Sequence, residues 1–445
     1  MSTTVQEVIN FVKDEKNDIK FIRLVFCDLF GQQKNISIMP DELPQAFAEG
    51  ISFDSNAIHG FGDVTRSDLL LVPDPDTLAV LPWRPQQGRV VRFYCRIRRP
   101  SGGDFTYDTR GILERITGKY REKGYTFRVG VECEFYLFKT DMDGEVTDIP
   151  YDNGSYLDIS PLDKAENIRR EICFCLEDMG IKPESSHHEQ GPGQNEIDFK
   201  FSDALASADN IQTFKTVAKS ISALNGLYAS FLPKPLDGKS GNGLHINISL
   251  LCGGVNIFKD FKSGHASTAE SFTAGVLEKA AEMTVFLNPI VNSYQRLGAF
   301  EAPKYVSWSH ENRSQLIRIP AAKGEKVRME LRSPDPAANP YLAMALIIGA
   351  GMEGIDKGLT LPEEVKVDLY TADKGVTSAL TRLPQTLHEA VELAKGSEFM
   401  RACLGDEVFE RYIEIKEKEA EAMFKLSLSG QEKPDPNREK YFKIV

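Results

Sequence analysis

The stretch FRVGVECEFYLF, residues 127–138, limits more than any other how this chain can fold. Alternate residues from Val129 to Leu137 are apolar, which predicts a β-strand with one buried face. Glu132 and Glu134 share the opposite face, about 7 Å apart. Two ionised carboxylates side by side in a packed sheet repel each other and lose hydration. We therefore expect their face to open onto bound cations.

Two further stretches show the same division between an apolar and a polar face. In GLHINISLL, residues 243–251, a histidine, an asparagine and a serine alternate with aliphatic residues. In VRMELR, residues 327–332, Glu330 stands between two arginines on one face. A single strand of this kind is typical of a half-exposed sheet. Three such strands, with residue types used in catalysis, predict a sheet whose polar face forms a functional site.

A fourth segment, SSHHEQGPGQNEIDF at residues 185–199, adds one glutamate on each side of a Gly-Pro-Gly turn. Taken alone it is typical of a polar surface loop, but the turn could fold the two acids toward each other. Many carboxylates and one imidazole suit Mg²⁺ or Mn²⁺ and do not suit a structural zinc ion. The predicted metal ligands are Glu132, Glu134, Glu189, Glu196, His245 and Glu330.

Arginines are concentrated in the stretches RLGAFEAP, ENRSQLIRIP and KVRMELRS. Spaced among apolar residues and prolines, they are suited to bidentate hydrogen bonds with phosphate or carboxylate. Divalent cations and arginines together favour phosphoryl transfer, because that chemistry depends on charge neutralisation and positioning. The arginines are Arg296, Arg313, Arg318, Arg328 and Arg332.

The composition and the remaining motifs exclude several function classes. A net charge of −12 argues against a nucleic-acid partner, and the longest apolar run is too short to span a bilayer. Seven scattered cysteines and an acidic N-terminal stretch indicate a cytoplasmic protein without disulfides. GAGMEG, residues 349–354, matches a dinucleotide-binding pattern, but Asn339 and Pro340 predict that it lies inside a helix.

The stretch RRPSGGDF, residues 98–105, is the best candidate for a linker between two domains. Before it, a capped helix at Thr4 and a hairpin around Gly31 predict a small, strand-rich domain over 1–105. After it, helices alternate with short strands over 106–445.

Five long segments resemble, in the same order, type I glutamine synthetase: GVECEF, HHEQGPGQNEIDF, FLPKPLDGKSGNGLHINISL, NRSQLIRIP and RMELRSPDPAANPYLAMA. The resemblance covers about residues 15–425. It implies an α+β fold with an N-terminal β-grasp domain and a catalytic domain with a curved antiparallel sheet flanked by helices. It also implies a dodecamer of two hexameric rings with active sites between neighbouring subunits. LTRLP lacks the adenylylated tyrosine of the larger subtype, so the similarity is to the compact bacterial subtype.

The resemblance implies ATP-dependent ligation of ammonia to L-glutamate through γ-glutamyl phosphate, which gives L-glutamine, ADP and phosphate. Two or three Mg²⁺ or Mn²⁺ ions per site would serve as cofactors, with ATP as a co-substrate. The six predicted ligands would then divide into two sets, one for each of two ions: Glu134, Glu189 and Glu196, and Glu132, His245 and Glu330.

The same resemblance implies roles for other residues. Those that would bind glutamate or ammonium are Tyr156, Ser240, Gly241, Arg296, Glu301 and Arg332. Those that would bind the nucleotide or its phosphates are Glu184, Asn247, Ser249, Arg313, Arg318 and Lys326. Three residues would be catalytic. Asp54 would reach the neighbouring subunit's site, Glu301 would close over glutamate on a mobile loop, and Arg313 would face the transferring phosphate.

Three departures from the family pattern lie on the side that binds the amine. RLGAFEAP is one residue shorter than the usual RLVPGYEAP, Ala57 replaces a serine, and Ser240 replaces an asparagine. A γ-glutamyl ligase that uses an organic amine or polyamine is therefore the alternative function. A noncatalytic homologue is a second alternative, although all six predicted metal ligands are present.

Overall fold

The computed structural model describes residues 3–62, 64–84, 86–261, 267–428, 441–442 and 445. In the described N-terminal residues, six strands form a mixed sheet of order β2-β1-β6-β4-β3, with β5 beside β6. The strands are β1 Ile19–Cys27, β2 Gln33–Ile38, β3 Ile51–Asp54, β4 Asp68–Pro73, β5 Ala79–Val80 and β6 Arg89–Arg98. β1 and β2 form the predicted hairpin around Gly31. Thr4 caps the first helix through a capping box, as predicted.

A second sheet, of ten strands among the described residues, has the order β14-β15-β16-β12-β7-β10-β9. β8 and β11 pair with β7, and β13 pairs with β12. All pairs are antiparallel except β14 with β15. The strands are β7 Tyr125–Thr140, β8 Val146–Pro150, β9 Pro183–His188, β10 Gln194–Asp203, β11 Leu227–Ser230, β12 Leu244–Cys252, β13 Val255–Asn256, β14 Trp308–His310, β15 Ile317–Ile319 and β16 Met329–Leu331.

Helices cover the apolar side of this sheet, and α3 and α5 contact β7 directly. The helices are α1 Val5–Lys13, α2 Leu43–Ala48, α3 Thr109–Glu122, α4 Glu166–Asp178, α5 Ala204–Leu224, α6 Thr268–Leu287, α7 Ser293–Arg296, α8 Pro340–Lys357, α9 Lys374–Thr377, α10 Leu387–Lys395, α11 Glu398–Leu404 and α12 Asp406–Leu428. Short 3-10 turns lie at Glu15–Asn17, Pro40–Glu42, Val64–Arg66, Pro75–Thr77, Ile257–Asp260 and Gly324–Lys326.

The GAGMEG stretch lies inside α8, as predicted, and serves helix packing. Asn339 caps α8 by accepting hydrogen bonds from the first backbone N–H groups. α8 packs against α6, and a Cβ atom at Gly354 would lie 2.2 Å from the carbonyl oxygen of Ser271. The glycine therefore permits close contact between two helix backbones, not phosphate binding.

A buried ion cluster joins the N-terminal sheet to helices α3 and α5. Arg110 of α3 binds Asp74 of the N-terminal part at 2.8 Å and Asp209 of α5 at 2.9 Å. The hydroxyl of Tyr94, on β6, donates to the carbonyl oxygen of Asp209. These bonds hold the N-terminal sheet against the helices behind the site.

In the part of the chain that the structure describes, no helix is both long and apolar enough to cross a membrane. All seven cysteines are free.

Candidate active site

The central strand β7 carries Glu132 and Glu134. Its odd-numbered residues from Phe127 to Leu137 are buried, and Glu132 and Glu134 lie on the other face, as the alternation predicts. Antiparallel register places Glu134 opposite Glu196 on β10. It places Glu132 between Asp198 on β10 and His245 on β12. The register therefore gathers four acids and a histidine on adjacent strands.

Glu132, His245 and Glu330 form one compact group. Each offers a ligand atom, and these atoms all lie within 4.8 Å of one another. His245 Nδ1 is 3.2 Å from Glu132 Oε2 and 4.0 Å from Glu330 Oε1. Burial tends to raise the pKa of Glu132, but hydrogen bonds from His245 and Asn247 lower it to about 2. Glu132 is thus an anion at neutral pH and suited to a cation.

Glu330 is fully buried and is balanced by two arginines. Arg318 donates to Glu330 Oε2 at 2.6 Å, and Arg332 donates to Oε1 at 2.6 Å. Each carboxylate oxygen retains a second lone pair that could bind a metal ion. The arginines therefore orient the carboxylate for the group that it forms with His245.

A second set of acids lies on the β9–β10 side, where negative charge is less well balanced. Burial and the Glu134 carboxylate raise the pKa of Glu189 to about 7. The same two causes raise the pKa of Glu196 well above its usual value. Within the described residues, the tightest group here is His187, Glu196 and Asp198. Carboxylates that repel one another in a cavity fit a divalent cation, which would make all of them favourable as anions.

Two cavities lie on the polar face of the sheet. Cavity A has a volume of about 180 Å³, and its lining includes Glu134, Tyr156, Glu189, Glu196, Ser240, Gly241, His245, Arg296, Glu301, Arg313 and Arg332. Cavity B has a volume of about 350 Å³, and its lining includes Arg128, Glu132, Glu184, Asp198, Phe201, Asn247, Ser249, Lys326 and Arg328. Most of the predicted site residues thus line one cavity or the other.

The two acid–histidine groups stand where the cavities meet. His245 lines cavity A and Glu132 lines cavity B, although their side chains are only 3.2 Å apart. Glu196 likewise lines cavity A, and Asp198, two residues further along β10, lines cavity B. A reaction between one molecule in each cavity would therefore take place beside these carboxylates.

Two buried arginines form one wall of cavity A. Arg296 donates to the carbonyl oxygens of Ser333 at 2.7 Å and Arg332 at 3.1 Å, which holds its guanidinium in place. A Cβ atom at Gly241 would lie 2.4 Å from the carbonyl oxygen of Pro233 and 2.9 Å from the Arg296 side chain. Glycine is therefore required where the chain passes this arginine.

The loop after α7 lies over the mouth of cavity A. Phe300, on this loop, has a φ of 54° and is exposed. Glu301 Oε2 lies 3.7 Å from Arg332 Nη2, and Glu301 Oε1 accepts a hydrogen bond from Gln190 at 3.1 Å. The shortened loop therefore still brings Glu301 to the cavity.

Three predicted site residues line neither cavity: Asp54, Arg318 and Glu330. Glu330 nevertheless lies 4.0 Å from His245 and contacts Arg318. Of the three, only Asp54 makes no contact with the group around His245 in the described part of the chain. Asp54 ends the edge strand β3 of the N-terminal sheet, where it accepts a hydrogen bond from the backbone of Asn56.

Several residues of the site were not predicted from the sequence. His187 and Asp198 join the second acid group, and both could have been found by extending the period of two from Glu189 and Glu196. Phe201 is exposed in cavity B with the Arg128 guanidinium 5.2 Å from its ring centroid. A strand shift between Phe199 and Ser202 places it there, and no sequence pattern signals that irregularity.

Comparisons with known proteins agree with this architecture. Residues 18–100 match the family described as glutamine synthetase, beta-Grasp domain, and residues 106–432 match glutamine synthetase, catalytic domain. A glutamine synthetase of Clostridium saccharobutylicum is 45% identical over 92% of this chain and 93% of its own length. One of Methanosarcina mazei is 44% identical over 94% of each chain.

Solved structures show the same fold. One described as a GmaS/ADP complex has a TM-score of 0.85 and 29% identity, covering 98% of this chain and 99% of its own. A Plasmodium falciparum glutamine synthetase has a TM-score of 0.83 at 24% identity, covering 96% and 98%. The predicted α+β fold, with a β-grasp domain and a curved catalytic sheet, is confirmed. The chain belongs to the glutamine synthetase family, as a type I member of the compact bacterial form.

Proposed function

We propose that this chain catalyses the ATP-dependent ligation of ammonia to L-glutamate, which gives L-glutamine, ADP and phosphate. The observation that carries the proposal is the meeting of two cavities at a group of carboxylates and a histidine. Transfer of a phosphoryl group needs a donor and an acceptor in line, with charge neutralised between them. Membership of the glutamine synthetase family supports the same reaction.

The larger cavity B would hold ATP, and cavity A would hold glutamate. Phe201 offers an aromatic surface to the base, while Lys326 and Arg328 offer positive charge. The other residues that would contact the nucleotide or its phosphates are Glu184, Asn247, Ser249, Arg313 and Arg318. In cavity A, Arg296 and Arg332 would hold the carboxylates of glutamate. Tyr156, Ser240, Gly241 and Glu301 would complete that pocket.

Divalent ions would be held by the two acid groups. We assign Glu132, His245 and Glu330 to one ion, and Glu134, Glu189 and Glu196 to another, with Mg²⁺ or Mn²⁺ as the candidates. When bound, such ions neutralise the negative charge of the transferring phosphoryl group. Arg318, which touches Glu330, would act on the same charge from the protein side.

Ammonia is favoured as the acceptor over an organic amine. Curated relatives that are 42–45% identical over more than nine-tenths of the chain are named glutamine synthetases. Glu301 reaches cavity A despite the shortened loop, and there it could remove a proton from ammonium.

Three further features belong to this proposal. Asp54 would act in the site of a neighbouring subunit, within a dodecamer of two hexameric rings. The chain would divide into domains at residues 1–105 and 106–445. Because the reaction consumes ATP and glutamate, we place the enzyme in the cytoplasm.

An amine panel tests the function. The purified chain is given ATP, Mg²⁺ and glutamate with ammonium, methylamine or a polyamine, and phosphate and product are both measured. We expect ammonium to support the fastest phosphate release, with one glutamine formed for each phosphate. Faster turnover with any organic amine would overturn the assignment of ammonia as the acceptor. Reactions that lack glutamate control for unrelated ATP hydrolysis.

A further inference from the structure

Gln190 bridges two segments that border cavity A. Its side-chain nitrogen Nε2 donates to Glu301 Oε1 at 3.1 Å. Its side-chain oxygen Oε1 accepts from the hydroxyl of Ser240 at 3.3 Å. All three side chains line cavity A. One amide therefore connects the loop that carries Glu301 to the segment that precedes β12.

The backbone beneath Gln190 is well anchored, although its side chain is exposed. The backbone N–H of Gln190 donates to Glu189 Oε2 at 2.8 Å. In the same turn, the N–H of Gly191 donates to Gln194 Oε1 at 2.9 Å, and Gly193 has a φ of 68°. Gln194 is fully buried and also donates to Glu134. The amide of Gln190 thus projects from a hydrogen-bonded turn and lines cavity A.

The Glu301 carboxylate has weak support from elsewhere. Arg332 Nη2 lies 3.7 Å from Glu301 Oε2, beyond normal hydrogen-bond distance. Among the described residues, Gln190 makes the shortest contact to this carboxylate from another side chain. Because nearly half of the Glu301 side-chain surface is exposed, its orientation depends on such a contact.

We propose that Gln190 is a positioning residue for the amine half of the reaction, holding the Glu301 carboxylate over cavity A. This inference deepens the proposed function and rests on it. A proton passes from ammonium to the Glu301 carboxylate. The nitrogen lone pair then forms the C–N bond of glutamine as phosphate leaves the γ-glutamyl carbon, and the departing phosphate takes the second proton that the nitrogen must lose. A held Glu301 also keeps the loop closed, so that water does not attack γ-glutamyl phosphate in place of ammonia.

The bridge contacts two positions at which the sequence departs from the family pattern. Ser240 stands where an asparagine is usual, and its hydroxyl binds Gln190. The shortened loop carries Glu301, which binds the same amide from the other side.

Gln190→Leu tests the proposal, because leucine is of similar bulk and lacks the amide. We measure the KM for ammonium, the KM for ATP, and the ratio of phosphate released to glutamine formed. Loss of a partly exposed hydrogen bond to a carboxylate should raise the KM for ammonium about five- to tenfold. The KM for ATP should stay within about twofold, and phosphate release should exceed glutamine formation.

Three further variants show whether the bridge acts as a unit. Ser240→Ala should change the same quantities in the same direction, by a smaller factor. The double variant Gln190→Leu/Ser240→Ala should have no higher KM for ammonium than Gln190→Leu alone, since the hydroxyl acts on Glu301 through the amide. Gln190→Glu should be impaired as well, because a second carboxylate would face and repel that of Glu301.

Unchanged ammonium KM and coupling in Gln190→Leu would overturn the inference. An equal rise in the KM for ATP, with coupling intact, would also overturn it, because that pattern indicates a general structural role. The proposed function fails separately, if the unmodified enzyme makes no glutamine from ammonium. Thermal unfolding of each variant verifies that the fold is retained.

Discussion

Replacing Glu330 tests the central polar group, because this side chain is fully buried and contacts two arginines. Removing one partner of a buried ion pair costs about 3–5 kcal/mol, because the remaining charge is left uncompensated. The Arg332 side chain is 1% exposed and cannot regain water, whereas that of Arg318 is 15% exposed and regains some. Glu330→Ala should therefore destabilise the chain by about 3–5 kcal/mol. Glu330→Gln keeps an acceptor for one arginine and should cost about 1–3 kcal/mol.

The assay compares thermal unfolding with and without Mn²⁺, and phosphate release from ATP in the presence of glutamate. Both variants should show a smaller Mn²⁺-induced rise in Tm than the unmodified chain, because one carboxylate ligand is lost. Both should lose phosphate release, and only Glu330→Ala should have a much lower Tm without metal. Glu363→Gln, at an exposed glutamate that lines neither cavity, serves as the matched control.

A Glu330→Gln variant with the full Mn²⁺-induced Tm rise would refute the assignment of this residue to a metal group. A Glu330→Ala variant with an unchanged Tm would instead refute the view that its carboxylate compensates two buried arginines.

Three other measurements follow from the structure. The pKa of Glu189 is raised from 4.5 to about 7, so the folded chain binds more protons than the unfolded chain between these values. The stability of the metal-free chain should therefore fall as pH rises from 4.5 to about 7. Thermal unfolding in EDTA from pH 5 to 8 measures this fall. A Tm that is unaffected by Glu189→Gln would contradict the prediction. Arg110→Met should lower stability by about 3–5 kcal/mol by leaving Asp74 and Asp209 without their buried partner, as denaturant unfolding would show. Phe201→Ala should raise the KM for ATP about tenfold if the ring supports the base, with little change in the KM for glutamate. Steady-state kinetics with each substrate varied measure both constants. A larger rise in the KM for glutamate than in the KM for ATP would contradict the prediction.

Periodicity in the sequence by itself predicts much of the architecture. Alternation in the strand from Phe127 to Leu137 separates a buried face from one that carries Glu132 and Glu134, because successive side chains of a strand point to opposite sides. The same local rule identified the hairpin around Gly31. The cap at Asn339 predicts the start of α8, and GAGMEG lies inside this helix and not in a phosphate-binding loop. These features depend on residues that are close together in the chain.

Only the tertiary structure decided which polar groups meet. The pairing of β7 with β10 and β12 brings Glu132 beside both Asp198 and His245, and register between distant strands cannot be deduced from alternation. The contact of Gln190 with Glu301 joins residues 111 positions apart. A single sequence determines the face on which a side chain lies, because backbone geometry repeats locally. Its partners across the sheet depend instead on how the whole chain packs.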